Sequence, residues 1–215
     1  MSSTEPGPSP DESNPAAELR KVSDPRALRA LAHPTRIALL EALALHGSLT
    51  ATEAAAIVGG SVPNVAYHLR TLAAHAYVVE AEGGAGRERP WKLGEVGMSI
   101  DSDDPDPAAA HAARALGEVV VDRWLERMHR ARSMRDQYPP EVRAAIGYAQ
   151  YVIFGTPAEM EQVRDEFLAI VLRYTHRISD PATRPEGSLP FEVLQFTYPF
   201  DSPTPADPTS SESEG

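Results

Sequence analysis

The stretch SVPNVAYHLRTL, residues 61–72, combines hydrogen-bond donors with a complete absence of acidic side chains. Its polar members after the first turn are Asn64, Tyr67, His68, Arg70 and Thr71. An acid among them would repel a phosphate backbone, whereas Asn and Arg can pair with base edges in the major groove of DNA. In a chain with 31 acidic residues, this local composition predicts a surface that contacts double-stranded DNA.

Those donors share one face only if the stretch is helical. Val65, Leu69 and Leu72 recur at helical spacing and form a narrow apolar stripe that can pack on a neighbour. Ser61 is a suitable N-cap, and Pro63 fits the first turn. The N-terminus of such a helix also has free N–H groups and a positive dipole end, which favour a phosphate. The candidate DNA-contacting residues on this helix are Ser61, Asn64, Tyr67, His68, Arg70 and Thr71. For His68 the alternative is a half-buried position in which its ring serves as a hydrogen-bonding group.

A capped helix and a glycine turn precede this stretch. In LTATEAAAIVGG, Thr50 and Glu53 have the spacing of a capping box, and the helix ends at Gly59–Gly60. Two earlier helices are predicted, one beginning at Pro25 and one at Pro34. Helix, tight turn, helix is the pattern of a helix-turn-helix unit, whose second helix lies in the major groove.

A β-hairpin is predicted after the second helix of that unit. Two short strands, near 77–82 and 88–93, flank the glycine-rich sequence GGAGRER. We expect Arg87 and Arg89, near the hairpin tip, to make a second contact with the DNA backbone or the minor groove.

Three motifs together resemble the ArsR-type winged helix-turn-helix transcriptional regulators: LRALAHPTRIALLEAL, SVPNVAYHLRTLAAHAYV and GRERPWKL. The resemblance covers about residues 24–94 and implies a homodimeric, operator-binding regulator, usually a repressor that an effector releases. The positions it implies are Ser61, Asn64, Tyr67, His68 and Arg70 on the recognition helix, and Arg87 and Arg89 on the wing. Two recognition helices in one dimer predict an operator that is an imperfect inverted repeat.

The chain departs from this family pattern at two points. Members often have glycine after the recognition helix, whereas this chain has Ala76, for which a left-handed conformation is costly. We therefore expect the end of that helix to be rebuilt. Metal-sensing members use Cys, or sets of His and Asp, and this chain has no Cys and no such set. We expect no metal and no other cofactor.

The charge of the chain is unevenly distributed. The net charge of the 215 residues is −11. Residues 24–94 contain seven basic and six acidic residues, a net of +1, whereas most of the acidic excess lies in residues 95–215. Only the first of these segments can offer a basic face to DNA. There is no apolar run near the roughly 20 residues of a membrane span and no secretory core, so we expect a cytoplasmic protein without membrane contact.

Composition divides the chain into five segments. Residues 1–22 and 201–215 are rich in Ser, Pro and Glu, which predicts a disordered arm and a disordered tail. Residues 23–94 form the predicted DNA-binding domain, and the acidic sequence DSDDPDP marks a linker at 95–106. Residues 107–200 are then the predicted dimerisation and effector region.

Helix, strand, helix, strand is the predicted order within that last region. The first helix covers 107–135, and its apolar stripe is wide enough to predict a dimer contact. The stripe consists of Leu116, Val120, Trp124 and Met128. YAQYVIFG (148–155) and FEVLQFTYPF (191–200) are predicted strands, and a long helical connection would let them pair in parallel. The predicted fold class is α+β: an N-terminal winged helix-turn-helix domain, a long helix and a small α/β C-terminal unit.

Other classes of function have weaker support. Glu126 and His129 form a Glu-x-x-His pair, but one pair per chain is sparse for a metal site, and a surface ion pair is the simpler interpretation. We expect no enzymatic activity, because the chain has no phosphate loop, nucleophile elbow or dinucleotide fingerprint. The alternative is a winged-helix interaction module whose C-terminal unit binds a protein partner or a hydrophobic small molecule. An effector of the regulator could belong to either of these classes.

Overall fold

The computed structural model describes residues 19–83 and 89–200. The strands in this part of the chain are β1 (Arg20–Val22), β2 (Ser48–Leu49), β3 (Val78–Glu80), β4 (Trp91–Leu93) and β5 (Met98–Ile100). The helices are α1 (Pro25–Leu31), α2 (Pro34–His46), α3 (Ala51–Val58), α4 (Val62–Ala73), α5 (Pro107–Ser133), α6 (Pro140–Ala145), α7 (Pro157–Leu172) and α8 (His176–Ser179). Short 3-10 helices cover Arg135–Gln137 and Pro181–Thr183.

One hydrophobic core joins α1 to α4, the adjoining strands and the first half of α5. Its largest fully buried side chains are Leu28, Leu39, Leu43, Val65, Leu69, Leu72 and Val78. Helix α5 contributes a face of small residues, because Ala109, Ala112 and Ala113 are all buried, and it packs mainly on α1. The first half of the long helix is therefore part of the N-terminal unit and not of a separate one.

The predicted helix starts are confirmed by their caps. Asp24 accepts a hydrogen bond from the Arg26 N–H at 2.9 Å at the start of α1. Thr50 and Glu53 form the complete capping box of α3. His33 caps α2, since its Nδ1 accepts a bond from the Thr35 N–H at 3.2 Å. Polar side chains before the apolar runs thus define where these three helices begin.

The two strands predicted near 77–82 and 88–93 are present as β3 and β4, which pair antiparallel with Val78 opposite Leu93. Strand β2 adds to the other edge of β4, so the order in this sheet is β2-β4-β3. Two residues are too few to show the alternation that marks a strand in a sequence, which explains why β2 was not predicted.

The predicted boundaries at residue 22 and around the linker 95–106 need correction. Residues Arg20–Val22 form β1, which pairs in parallel with β5 inside the predicted linker. The physical reason is apolar burial: Val22 is buried in the core, and Ile100, opposite it, packs against that core. The rest of the predicted arm, residues 1–18, and the predicted tail, 201–215, lie outside the described residues.

Helix α4 ends in a Schellman motif that has alanine where glycine is usual. Ala76 has a φ of 57°, the Tyr77 N–H bonds to the Leu72 carbonyl at 3.1 Å, and the Ala76 N–H bonds to the Ala73 carbonyl at 3.0 Å. The guanidinium of Arg20 donates to the carbonyls of His75 (2.7 Å) and Ala76 (3.1 Å). The expectation of a rebuilt helix end was wrong, because these bonds hold Ala76 in the left-handed conformation despite its cost.

Replacing Ala76 with Gly should raise the free energy of unfolding by about 1 kcal/mol, because glycine adopts a positive φ without steric cost. The matched control is Ala74→Gly, two residues earlier, where φ is −59° and alanine is unstrained. That control should lower the free energy of unfolding by about 0.5–1 kcal/mol. Urea denaturation measures both changes. Equal destabilisation by the two substitutions would contradict the assignment of strain to Ala76.

The small C-terminal α/β unit is absent from the described residues, so this prediction was wrong. Residues 148–155 and 191–200 contain no strand, although α7 between them begins at the predicted Thr156–Glu159 capping box. A strand requires a neighbouring backbone to pair with, and no described residue supplies one to either segment. None of the residues in α6, α7 or α8 is buried.

Helix α5 matches the predicted range closely, and the start of its apolar stripe packs within the chain. Leu116, at the start of the stripe, is buried against the same chain, whereas Met128 is 41% exposed. Between them, Arg123 forms a bidentate pair with Glu41 of α2, which joins α5 to the N-terminal unit. No helix in the described ranges is long and apolar enough to cross a membrane.

Candidate nucleic-acid interface

Helix α4 is fixed by the three apolar residues that its sequence spacing singled out. Val65, Leu69 and Leu72 are all 0% exposed, and α4 packs on α3 and α2. Before it, α3 ends at Gly59, where φ is 86°, and Gly60 follows with a φ of 93°. This backbone conformation suits glycine and makes the tight turn between the two helices.

The opposite face of α4 is exposed and polar. Ser61, Asn64, Tyr67 and Arg70 recur every three residues and are all exposed, Tyr67 to 60%. The Ser61 hydroxyl accepts a bond from the Asn64 N–H at 3.4 Å, so it caps the helix as predicted. No Asp or Glu occurs in the sequence between Glu53 and Glu80. The face can therefore approach a polyanion without repulsion from its own helix.

The structure places His68 inside the protein and not on this face, which corrects its prediction as a DNA-contacting residue. His68 is only 6% exposed, and its ring centroid is 4.6 Å from that of His33. Its position follows from helical geometry, because residue 68 shares the inward side of α4 with Val65 and Leu72. No described residue gives its buried Nδ1 a hydrogen-bond partner.

Burial lowers the pKa of His68, and the nearby His33 and Arg36 act in the same direction. The unfolded chain, with a histidine pKa near 6.5, thus binds the proton more readily than the folded chain. We expect the free energy of unfolding to fall as the pH drops below about 6.5, until it passes the lowered pKa of the folded state. Urea denaturation at several pH values should show a weaker decline in His68→Leu. His46→Leu, at an exposed position, should keep the decline, and an unchanged decline in His68→Leu would refute this cause.

Thr71 is a less suitable contact than its sequence position suggested. Its side chain is half-buried, and its hydroxyl donates to the Tyr67 carbonyl at 3.0 Å. This bond to the preceding turn occupies the hydroxyl proton, so Thr71 serves α4 itself more than the exposed face.

Of the two predicted wing arginines, only Arg89 lies within the described residues. Arg89 is exposed, but its guanidinium pairs with the Glu80 carboxylate on the opposite strand at 2.8 Å. A phosphate would have to compete with Glu80 for this cation. Arg87 lies outside the described residues.

A further cation, Arg36, lies beside α4 and is not among the residues predicted to contact DNA. Arg36, in the first turn of α2, is half-buried and interacts electrostatically with Tyr67. Its buried Nε has no hydrogen-bond partner among the residues that the structure describes, and burial lowers its pKa. The sequence HPTR contains this residue at the start of α2. In a helix-turn-helix unit α2 packs on the recognition helix α4, and this expected packing was the signal that could have identified Arg36.

Metal-binding groups are sparse in the described ranges. Those ranges contain no group of three or more His, Asp or Glu side chains that could hold a metal ion. Glu126 and His129 are both exposed on the second half of α5.

Comparison with known proteins supports the assignment of the N-terminal unit. A family model described as a helix-turn-helix domain matches residues 31–80, which include α2, α3, α4 and β3. No curated protein matches the chain. The geometry of the turn and this match agree: residues 31–80 are a helix-turn-helix domain, a module that suggests DNA-binding regulation.

Proposed function

We propose that the chain is a sequence-specific DNA-binding transcription regulator that acts as a dimeric repressor, with α4 as its recognition helix. The observation that carries this proposal is the exposed, acid-free face of Ser61, Asn64, Tyr67 and Arg70, held outward by three fully buried residues. A purely structural helix has no need to exclude acids from its solvent face in so acidic a chain. A groove lined with phosphates does require it.

The residues on this face have separate roles in the proposed complex. Asn64 is suited to pair with adenine, and Arg70 to pair with guanine or with a phosphate. Ser61 and the free N–H groups of the first turn are suited to hold a backbone phosphate at the N-terminus of α4. Tyr67 adds an aromatic contact beside Arg36.

The hairpin β3–β4 would act as the wing of a winged helix-turn-helix domain of the ArsR type. Arg89 would then exchange the Glu80 carboxylate for a DNA phosphate, and Arg87 would add a second cation. Because the pair is exposed, breaking it costs little.

In the proposed dimer, two copies of α4 stand about 34 Å apart and read successive major grooves, so the operator is an inverted repeat. The acidic C-terminal half faces away from DNA. An effector, either a small molecule or a protein, would act on the region after residue 107.

Selection of bound fragments from genomic DNA, followed by sequencing, tests the proposal. We expect enrichment of a small set of sites that share an inverted repeat and lie in promoters. Footprints on both halves of the repeat would support a dimer. If no fragment is enriched at low salt, the DNA-binding function fails, and the interaction module becomes the better description.

A further inference from the structure

Two segments in the C-terminal half have unpaired backbones. Segment A is residues 147–155 and segment B is residues 189–199. Neither segment makes a backbone–backbone hydrogen bond with another described residue. Both are rich in aromatic and β-branched residues, which favour strands. The composition of both segments therefore favours strands, although the described chain gives neither segment a strand to pair with.

The same segments expose most of their apolar side chains. Phe154 is 103% exposed, Tyr151 84% and Tyr198 74%. The large apolar side chains that are 47% exposed or more are Tyr148, Tyr151, Val152, Ile153 and Phe154 in segment A, and Leu189, Phe191, Val193, Phe196 and Tyr198 in segment B. From residue 117 to residue 200 the structure has no buried residue. A soluble chain rarely leaves so large an apolar surface uncovered.

The exposed area is sufficient for a stable dimer. Ten such side chains, at roughly 100 Å² each, amount to about 1,000 Å² per chain. A standard protein interface buries about 800 Å² on each partner. Apolar surface of this size, together with unpaired backbone, is what an intermolecular sheet would cover.

Segment B is also fixed relative to the helix-turn-helix domain. The Arg127 guanidinium pairs with both Glu192 in segment B and Glu41 on α2. Just before the segment, Arg184 donates to the Leu45 carbonyl at the end of α2 at 3.1 Å. A partner bound to segment B would therefore be held at a set position relative to α2 and, through the core, to α4.

We propose that segments A and B of one chain pair with those of a second copy and form a β-sheet across the dimer. This inference rests on the proposed function only in taking the partner to be a second copy. A twofold axis presents the same unpaired segments from both chains, so each satisfies the backbone groups of the other. The sheet would also set the spacing of the two α4 helices through the Arg127 and Arg184 contacts.

Proline substitutions test the backbone pairing in the full chain. Val152→Pro and Val193→Pro each remove a backbone N–H from the middle of a segment and are poorly tolerated in a paired strand, whereas Val152→Ala and Val193→Ala keep the N–H. We expect the double variant Val152→Pro/Val193→Pro to raise the dimer dissociation constant at least about tenfold, as measured by sedimentation. The alanine variants should raise it by clearly less. Proline variants that match their alanine controls would overturn the proposal.

Amide hydrogen exchange of the wild type gives an independent readout that does not depend on variant folding. Slow exchange in both segments that disappears on dilution is the expected result. A dimer with fast exchange in both segments would overturn the intermolecular sheet but would not contradict the proposed DNA-binding function. A monomer at all concentrations would also overturn the sheet, and the selection of genomic fragments would then decide the DNA-binding function separately. The urea midpoint of the helical core shows whether each variant is folded.

Discussion

Replacing Arg70 with Ala is expected to weaken binding to the selected operator by about 10- to 100-fold. Arg70 is exposed on α4 beside Tyr67, and the structure gives its guanidinium no acidic neighbour along that helix. Loss of a bidentate contact to guanine costs about 1–3 kcal/mol. Loss of a phosphate contact would instead weaken binding to all sequences and reduce the salt dependence by about one ion.

Titration of the operator at several salt concentrations separates these two roles of Arg70. The matched control is Arg173→Ala, an exposed arginine after α7 that removes the same charge from the acidic half. We expect this control to bind within about twofold of the wild type, because charges far from the interface are screened. Equal loss of affinity in both variants would mean that net charge, and not the α4 face, governs binding.

Replacing Gly94 with Ala should give the largest loss of stability, about 3 kcal/mol. A Cβ at Gly94 would lie 2.3 Å from the Ala76 carbonyl oxygen, which is a backbone atom and cannot rotate away. The Gly94 N–H also bonds to the Tyr77 carbonyl at 3.0 Å, so the two segments are in close contact. The end of β4 would have to move away from the end of α4.

The chain contains a matched glycine for this test. A Cβ at Gly117, on α5, meets nothing within 4 Å. Gly117→Ala should therefore raise the free energy of unfolding by about 0.5–1 kcal/mol, as alanine does in a helix. Urea denaturation compares the two variants. A loss below about 1 kcal/mol in Gly94→Ala would show that the helix end and the hairpin adjust easily, contrary to the tight packing described.

Local sequence signals predicted the helix-turn-helix domain well because each element begins or ends on a residue with a specific backbone preference. Thr50, Ser61 and Gly59 define the limits of α3 and α4 through short-range hydrogen bonds and a positive φ. The buried stripe of α4 followed from helical periodicity. Such features depend on neighbours a few residues apart, and the sequence displays them directly.

Features that depend on distant contacts could not be predicted in this way. The left-handed Ala76 is held by Arg20, 56 residues earlier, whose own strand β1 lies in a segment with the composition of a disordered arm. Arg89 is paired with Glu80 across the hairpin, and neither sequence position indicates this by itself. The prediction of two C-terminal strands was wrong for a related reason. Their composition is typical of strands, but the described chain contains no backbone that pairs with them.

The burial of His68 shows the limit of periodicity within a single helix. Position 68 lies at the border between the stripe and the polar face, and a histidine is compatible with either side. His33, at the N-cap of α2, decides the outcome because its ring packs 4.6 Å from that of His68. Contacts between helices thus determined which of the predicted donors face outward.

Site-specific cross-linking to DNA tests the central claim, contact between the α4 face and the groove, most directly. The chain has no cysteine, so a single Asn64→Cys substitution can carry a photoactivatable cross-linker, with Glu166→Cys on α7 as the exposed control. The predicted result is cross-linking of operator DNA from position 64, lost in high salt, and none from position 166. DNA that binds the protein but cross-links only from position 166, or equally from both, would contradict recognition by α4.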